Sequence, residues 1–137
     1  ARAMGGRIAE EVYFGKDRIT TGGGNDLQKA AEIARDMVIN QGMGDKLRDQ
    51  VFHVDEGMMM ERLVHEREYS DDTAKVIDQE VEALITEAAN RARMVIKANK
   101  KSIEKLKDLL IEKETVEASE VLVAFQDSVM PKEAMLY

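Results

Sequence analysis

Residues 70–99 read SDDTAKVIDQEVEALITEAANRARMVIKAN. Within them Ala74, Ile77, Val81, Leu84, Ile85, Ala88, Ala92 and Val95 recur at steps of three and four, the period of one helix face. Ser70 is a good N-cap residue. Asp71 and Asp72 follow in the first turn, where aligned peptide dipoles favour negative charge. The spacing predicts a long amphipathic helix from Ser70 to about Asn99.

The same period extends outward in both directions. Downstream, Ile103, Leu106, Leu109 and Leu110 predict a helix over about Lys101 to Lys113. Val121, Leu122 and Phe125 predict a short one near Ala118 to Gln126. Upstream, Leu27, Ala30, Ala31, Ala34, Met37 and Val38 share a face from about Asp26 to Gln41, closed by Gly42 and Gly44. Met4, Ile8 and Val12, with Ala9 and Tyr13 one turn round, predict a helix over residues 1–14 that Gly15 terminates. The chain begins inside that pattern without an initiator Met, which reads as a fragment cut from something longer.

Between Asp45 and Tyr69 the periodicity fails. Val51, Phe52 and Val54 suggest a short extended piece, and Gly57-Met58-Met59-Met60 is irregular. The single proline of the 137 residues, Pro131, forbids no earlier helix. Nine Met among many aliphatic residues suit a helical core. The expected fold is all-α, a helical bundle. It forms one domain over residues 1–126 and is followed by a flexible tail, 127–137.

A net charge of −7, with both signs interspersed, disfavours a nucleic-acid surface, which needs a basic stripe, and binding to anionic lipid. Zero cysteines exclude disulfides and thiolate zinc sites. No apolar run approaches the ~18 residues of a membrane-spanning helix, and no signal peptide opens the chain.

Chemistry is concentrated in Ile19-Thr20-Thr21-Gly22-Gly23-Gly24-Asn25-Asp26-Leu27. A glycine run that opens a helix can approach anions, but the Gly-Lys-Ser/Thr ending of a P-loop is missing. Asp26 falls in the first turn of the following helix, where a carboxylate can cap the helix or reach a metal. The residues alone leave both open. His65-Glu66-Arg67-Glu68-Tyr69 starts like the zinc motif His-Glu-x-x-His but ends in Tyr, so it lacks the second imidazole one turn on. His53 pairs with nothing visible, and no nucleophile triad can be assembled. Gly5 and Gly6 are costly in a helix, which points to close backbone packing or access to a site. Glu10 and Glu11 read as solvated charges, and Arg7 as their surface ion-pair partner at i+3 and i+4.

Taken together, Gly5-Gly6-Arg7-Ile8-Ala9-Glu10-Glu11, Thr20-Thr21-Gly22-Gly23-Gly24-Asn25-Asp26-Leu27, Ala34-Arg35-Asp36-Met37-Val38, Gly42-Met43 and Tyr69-Ser70-Asp71-Asp72-Thr73-Ala74 resemble the FtsH-type ATP-dependent zinc metalloproteases. The match is to the C-terminal part of their peptidase domain. Two departures are Gly23-Gly24, where that family commonly has Ala-Ser, and Gly44, where a polar residue commonly follows Gly-Met. The resemblance implies a helical peptidase domain truncated at its N-terminus. It implies that Asp26 is the third ligand of a catalytic Zn²⁺ and that Glu10 is an outer partner orienting a ligand or a nearby loop.

The resemblance further implies that the His-Glu-x-x-His histidines, the general-base Glu, an AAA+ ATPase using ATP and Mg²⁺, and membrane anchors all lie upstream. It implies a homo-hexamer at the cytoplasmic face of the inner membrane that degrades membrane and misfolded proteins. This segment by itself would be soluble and inactive, and would supply Asp26 and a surface for ring assembly. The rival reading is a non-catalytic helical module for oligomerisation or interaction.

Overall fold

The computed structural model describes residues 2–18, 20–48, 50–51 and 70–135. The expected extended piece at Phe52 and Val54, the irregular Gly57–Met60 stretch, His53 and His65 lie outside the described residues. Five α-helices and no strand occur among the described residues. They are α1 (Gly5–Phe14), α2 (Gly24–Ile39), α3 (Asp71–Ala98), α4 (Lys100–Lys113) and α5 (Ala118–Ala124). The all-α expectation holds. No helix among the described residues is long and apolar enough to cross a membrane.

The helix ends follow local chemistry. Ser70 caps α3, its Oγ accepting the Thr73 N–H at 3.2 Å. Gly15 ends α1 at a φ of 86°, a left-handed angle that costs glycine little, and its N–H bonds the Glu11 carbonyl. Beyond α2, Gly42 at φ 59° turns the chain back, so that the Met43 N–H reaches the Met37 carbonyl at 2.9 Å. At the start of α5 the Glu120 carboxylate accepts the Glu117 N–H at 3.2 Å and pairs with Lys113.

Two expectations change. The helix anticipated at Asp26 begins at Gly24, and Thr21–Gly23 already wind as a 3₁₀ turn. The last glycine of the run is thus the first residue of the helix, and the two before it belong to the 3₁₀ turn. The second concerns the α1 glycines. A Cβ built on Gly5 or Gly6 would meet nothing within 4 Å among the described residues, so no close packing explains them.

The chain forms two compact units, Ala1–Gly23 with Ala88–Tyr137, and Gly24–Glu87. In the second unit, Ala34, Val38 and Ile39 of α2 pack with Leu47 and with Ile77 and Val81 of α3, while Leu84 and Ile85 flank the cluster. Val38 and Ile77 are the most completely buried of these side chains. Among these apolar residues sits Glu80, only 8% exposed. Its carboxylate accepts the Asp45 N–H at 2.7 Å and the Lys46 N–H at 3.3 Å. A buried charge is tolerated when donors of this kind surround it. Gly44 lies so close that a Cβ there would stand 2.8 Å from Glu80 Oε2.

In the first unit Met4, Ile8, Ala92 and Ala124 are buried. Buried Asn99, between α3 and α4, clasps the backbone of Val129. Its Nδ2 donates to the Val129 carbonyl at 2.8 Å and its Oδ1 accepts the Val129 N–H at 2.7 Å. These two bonds hold the backbone at Val129 against the junction of α3 and α4.

Candidate functional site

Asp26 occupies the third position of α2 and is exposed. Four N–H groups at a helix start lack intrahelical partners, and the peptide dipoles add partial positive charge there. A carboxylate in this turn is stabilised without being used up. From the third position of α2 Asp26 would cap by reaching back to the backbone ahead of the helix, as Glu120 does in α5, and no such hydrogen bond occurs among the described residues. Among the described residues its oxygens have no hydrogen-bond or ion-pair partner. An exposed, uncommitted carboxylate on a rigid helix suits the donor chemistry of one zinc ligand. Asp26 is one donor only, and among the described residues no three His, Asp or Glu side chains gather as a metal-holding group.

Glu10 stands on α1 and holds the chain ahead of α2. Its carboxylate accepts the Thr20 N–H at 2.8 Å and the Thr20 hydroxyl at 2.9 Å and 3.1 Å. These bonds, the backbone one foremost, hold its pKa below the ordinary 4.5, with help from the Arg7 charge. Sequence reasoning named Glu10 but not Thr20 as its partner.

Glu11 turns to Arg93 of α3, a pairing across 82 residues that no local signal announces. Arg93 Nε and Nη2 donate to Oε1 at 3.2 Å and 3.1 Å, and Nη2 also reaches Oε2 at 3.0 Å. Side-chain exposures of 28% for Arg93 and 17% for Glu11 place this pair well below the surface norm. Hydrogen bonding from Arg93, then its charge, lowers the Glu11 pKa. The expected Arg7 surface pair is not formed, because both acids have other partners.

The lowered pKa values fix a pH response. A carboxylate whose folded pKa lies below its unfolded value contributes stability above the unfolded value and loses it as pH falls through the folded one. The Thr20 amide resonance followed by NMR against pH is therefore expected to titrate with a midpoint below 4.5. A midpoint above that value would contradict the Glu10–Thr20 bonds.

Comparison with known proteins identifies the family. The sequence profile of Peptidase family M41 matches residues 1–123. The chain is 42% identical over 123 residues to the ATP-dependent zinc metalloprotease FtsH 3 of Synechocystis sp., covering 88% of this chain and 20% of that protein. It is 38% identical over 128 residues to an ATP-dependent zinc metalloprotease FtsH of Synechococcus sp., covering 92% and 20%. The FtsH of Photobacterium profundum is 39% identical over 119 residues, covering 85% and 17%. The chain thus spans about a fifth of the length of these curated relatives. With the profile covering nearly all of the chain, and α-helices as its only regular elements besides 3₁₀ turns among the described residues, it belongs to Peptidase family M41.

Proposed function

We propose that this chain is the C-terminal part of the peptidase domain of an FtsH-type, ATP-dependent zinc metalloprotease, and that Asp26 is the third protein ligand of its catalytic zinc. Residues 1–126 are that portion of the domain and 127–137 follow it. The observation that carries the reading is the Asp26 carboxylate itself: exposed, rigidly based in the first turn of α2, and unpaired among the described residues. Its immediate sequence, Thr21-Gly22-Gly23-Gly24-Asn25-Asp26-Leu27, is among the motifs that carry the resemblance to the family.

When bound, zinc supplies a Lewis acid and lowers the pKa of its water towards ~7. The work of this chain is positional. Asp26 contributes one anionic oxygen from a helix start. Glu10 fixes Thr20, six residues earlier along the chain, which limits the freedom of the segment that delivers Asp26. Two histidines and the general-base Glu come from His-Glu-x-x-His upstream of Ala1, so this chain alone does not hydrolyse peptides. The ATPase, its ATP and Mg²⁺, and the anchors that hold the enzyme at the cytoplasmic face of the inner membrane belong to that upstream part as well. The substrates are membrane and misfolded proteins.

Assembly as a homo-hexamer accounts for apolar side chains that this chain leaves exposed, among them Ile111 at 74% and Leu122 at 73%. Zinc titration with a competing chelator tests the ligand reading. The chain by itself is expected to hold no zinc tightly, and the chain extended upstream through His-Glu-x-x-His to hold one equivalent. Stoichiometric tight binding by the chain alone would overturn the reading.

A further inference from the structure

The adjacent acids of α1 hold two different parts of the protein. Glu10 grips Thr20 by its N–H and hydroxyl, and Glu11 grips Arg93 through a fork of three hydrogen bonds. We propose that Arg93 is a positioning residue for the chain segment that leads into α2. Its fork on Glu11 sets the rotation of α1, and with it the reach of Glu10 to Thr20.

Successive side chains on a helix diverge by about 100°. Glu10 and Glu11 can therefore both meet their partners only over a narrow range of α1 rotation. Apolar packing selects a face but not an angle, because it is non-directional. Ile8, 3% exposed, gives α1 its inward face, while a Cβ built on either of its N-terminal glycines would meet nothing within 4 Å among the described residues, so no side-chain packing at those positions fixes the angle. A planar guanidinium on both oxygens of a carboxylate supplies the missing direction, which an ammonium cannot. Arg93 is itself braced, its Nη1 donating to Asn90 Oδ1 at 2.7 Å. Nearer the end of α1, the Tyr13 hydroxyl donates to the Lys100 carbonyl at 3.2 Å and the Lys100 ammonium lies 5.1 Å from the Tyr13 ring centroid, contacts less directional than the guanidinium fork.

The consequence for zinc rests on the Asp26 reading, but the positioning claim does not, and two readouts keep them apart. In the full-length protein, hydrogen–deuterium exchange at the Thr20 amide reports the Glu10 grip directly. Arg93→Met is expected to speed that exchange about tenfold, in line with losing a charge-assisted anchor. Arg93→Lys is expected to fall between it and the parent. In a Glu10→Gln background, where the grip is already weakened, Arg93→Met should add nothing further at Thr20. A merely structural role would instead add its effect in both backgrounds. Thr20 exchange within twofold of the parent in both Arg93 variants, while Glu10→Gln accelerates it, overturns the proposal. Should Arg93→Met fail to fold, the milder Arg93→Lys carries the same comparison. Retention of zinc against a chelator is the second readout and is expected to weaken in step with Thr20 exchange. If Asp26→Ala leaves zinc retention intact while Thr20 still follows Arg93, the ligand reading falls and the positioning role stands.

Discussion

In the full-length protein that carries this chain, Asp26→Ala is expected to abolish proteolysis while ATP hydrolysis continues at the parental rate. The zinc of a peptidase needs three protein ligands and one open position for water. Removing one of the three should weaken zinc by more than the roughly 10–100-fold that losing an outer hydrogen-bond partner costs a metal site. Asp26→Asn separates ligation from folding. It keeps the size and a helix-start preference, and gives up only the charge–dipole gain of about 0.3–1 kcal/mol. With both proteins stripped of zinc, its thermal midpoint should stay close to that of the parent, while zinc binding and proteolysis are lost. Proteolysis that survives in both variants would remove Asp26 from the site.

Ile77→Ala is expected to cost about 2–5 kcal/mol, the range for truncating a fully enclosed aliphatic side chain. Ile77 is 1% exposed and packs in the cluster of Ala34, Val38, Ile39, Leu47 and Val81. Four of these neighbours belong to α2 or the turn beyond it, so the cavity would open where the Asp26 helix meets α3. Rotamer changes could fill little of it, since Val38 opposite is equally enclosed. Ile33→Ala on the same helix α2 is the control. At 58% exposure it should change stability by no more than about 0.5 kcal/mol. Thermal or denaturant unfolding of the two variants side by side checks both, and equal losses would refute the core assignment.

The helices were legible because their causes are local. The three-and-four spacing from Ala74 to Val95, the Ser70 cap and the Gly15 stop each act within a turn of chain, and each appears where the sequence puts it. What escaped was non-local. Glu11 and Arg93 look like ordinary helix charges until folding brings together residues 82 positions apart. Glu80 reads as part of a charged face, although it stands beside Val81 and three residues from Ile77 on the apolar stripe. Only the arrival of the Asp45 and Lys46 amides makes its burial sensible. Asp26 was legible in part. Its place in a first turn followed from the glycines and the pattern after them. The proposal that it is a ligand rests on the surrounding motifs, because cap and ligand ask for the same residue at nearly the same position.

The contact of Glu80 with Gly44 ties the two positions together in space. A side chain at 44 and a full-length acid at 80 would claim the same space, since even a methyl carbon would come within 2.8 Å of Oε2. Retreat of Glu80 would strand the amides of Asp45 and Lys46. Shortening the acid first would pull it away from those amides before anything filled the gap. A side chain at 44 is therefore accommodated in this chain only if the Glu80 carboxylate moves off the Asp45 and Lys46 amides, so the tightness of this turn is set by the absence of a side chain at Gly44.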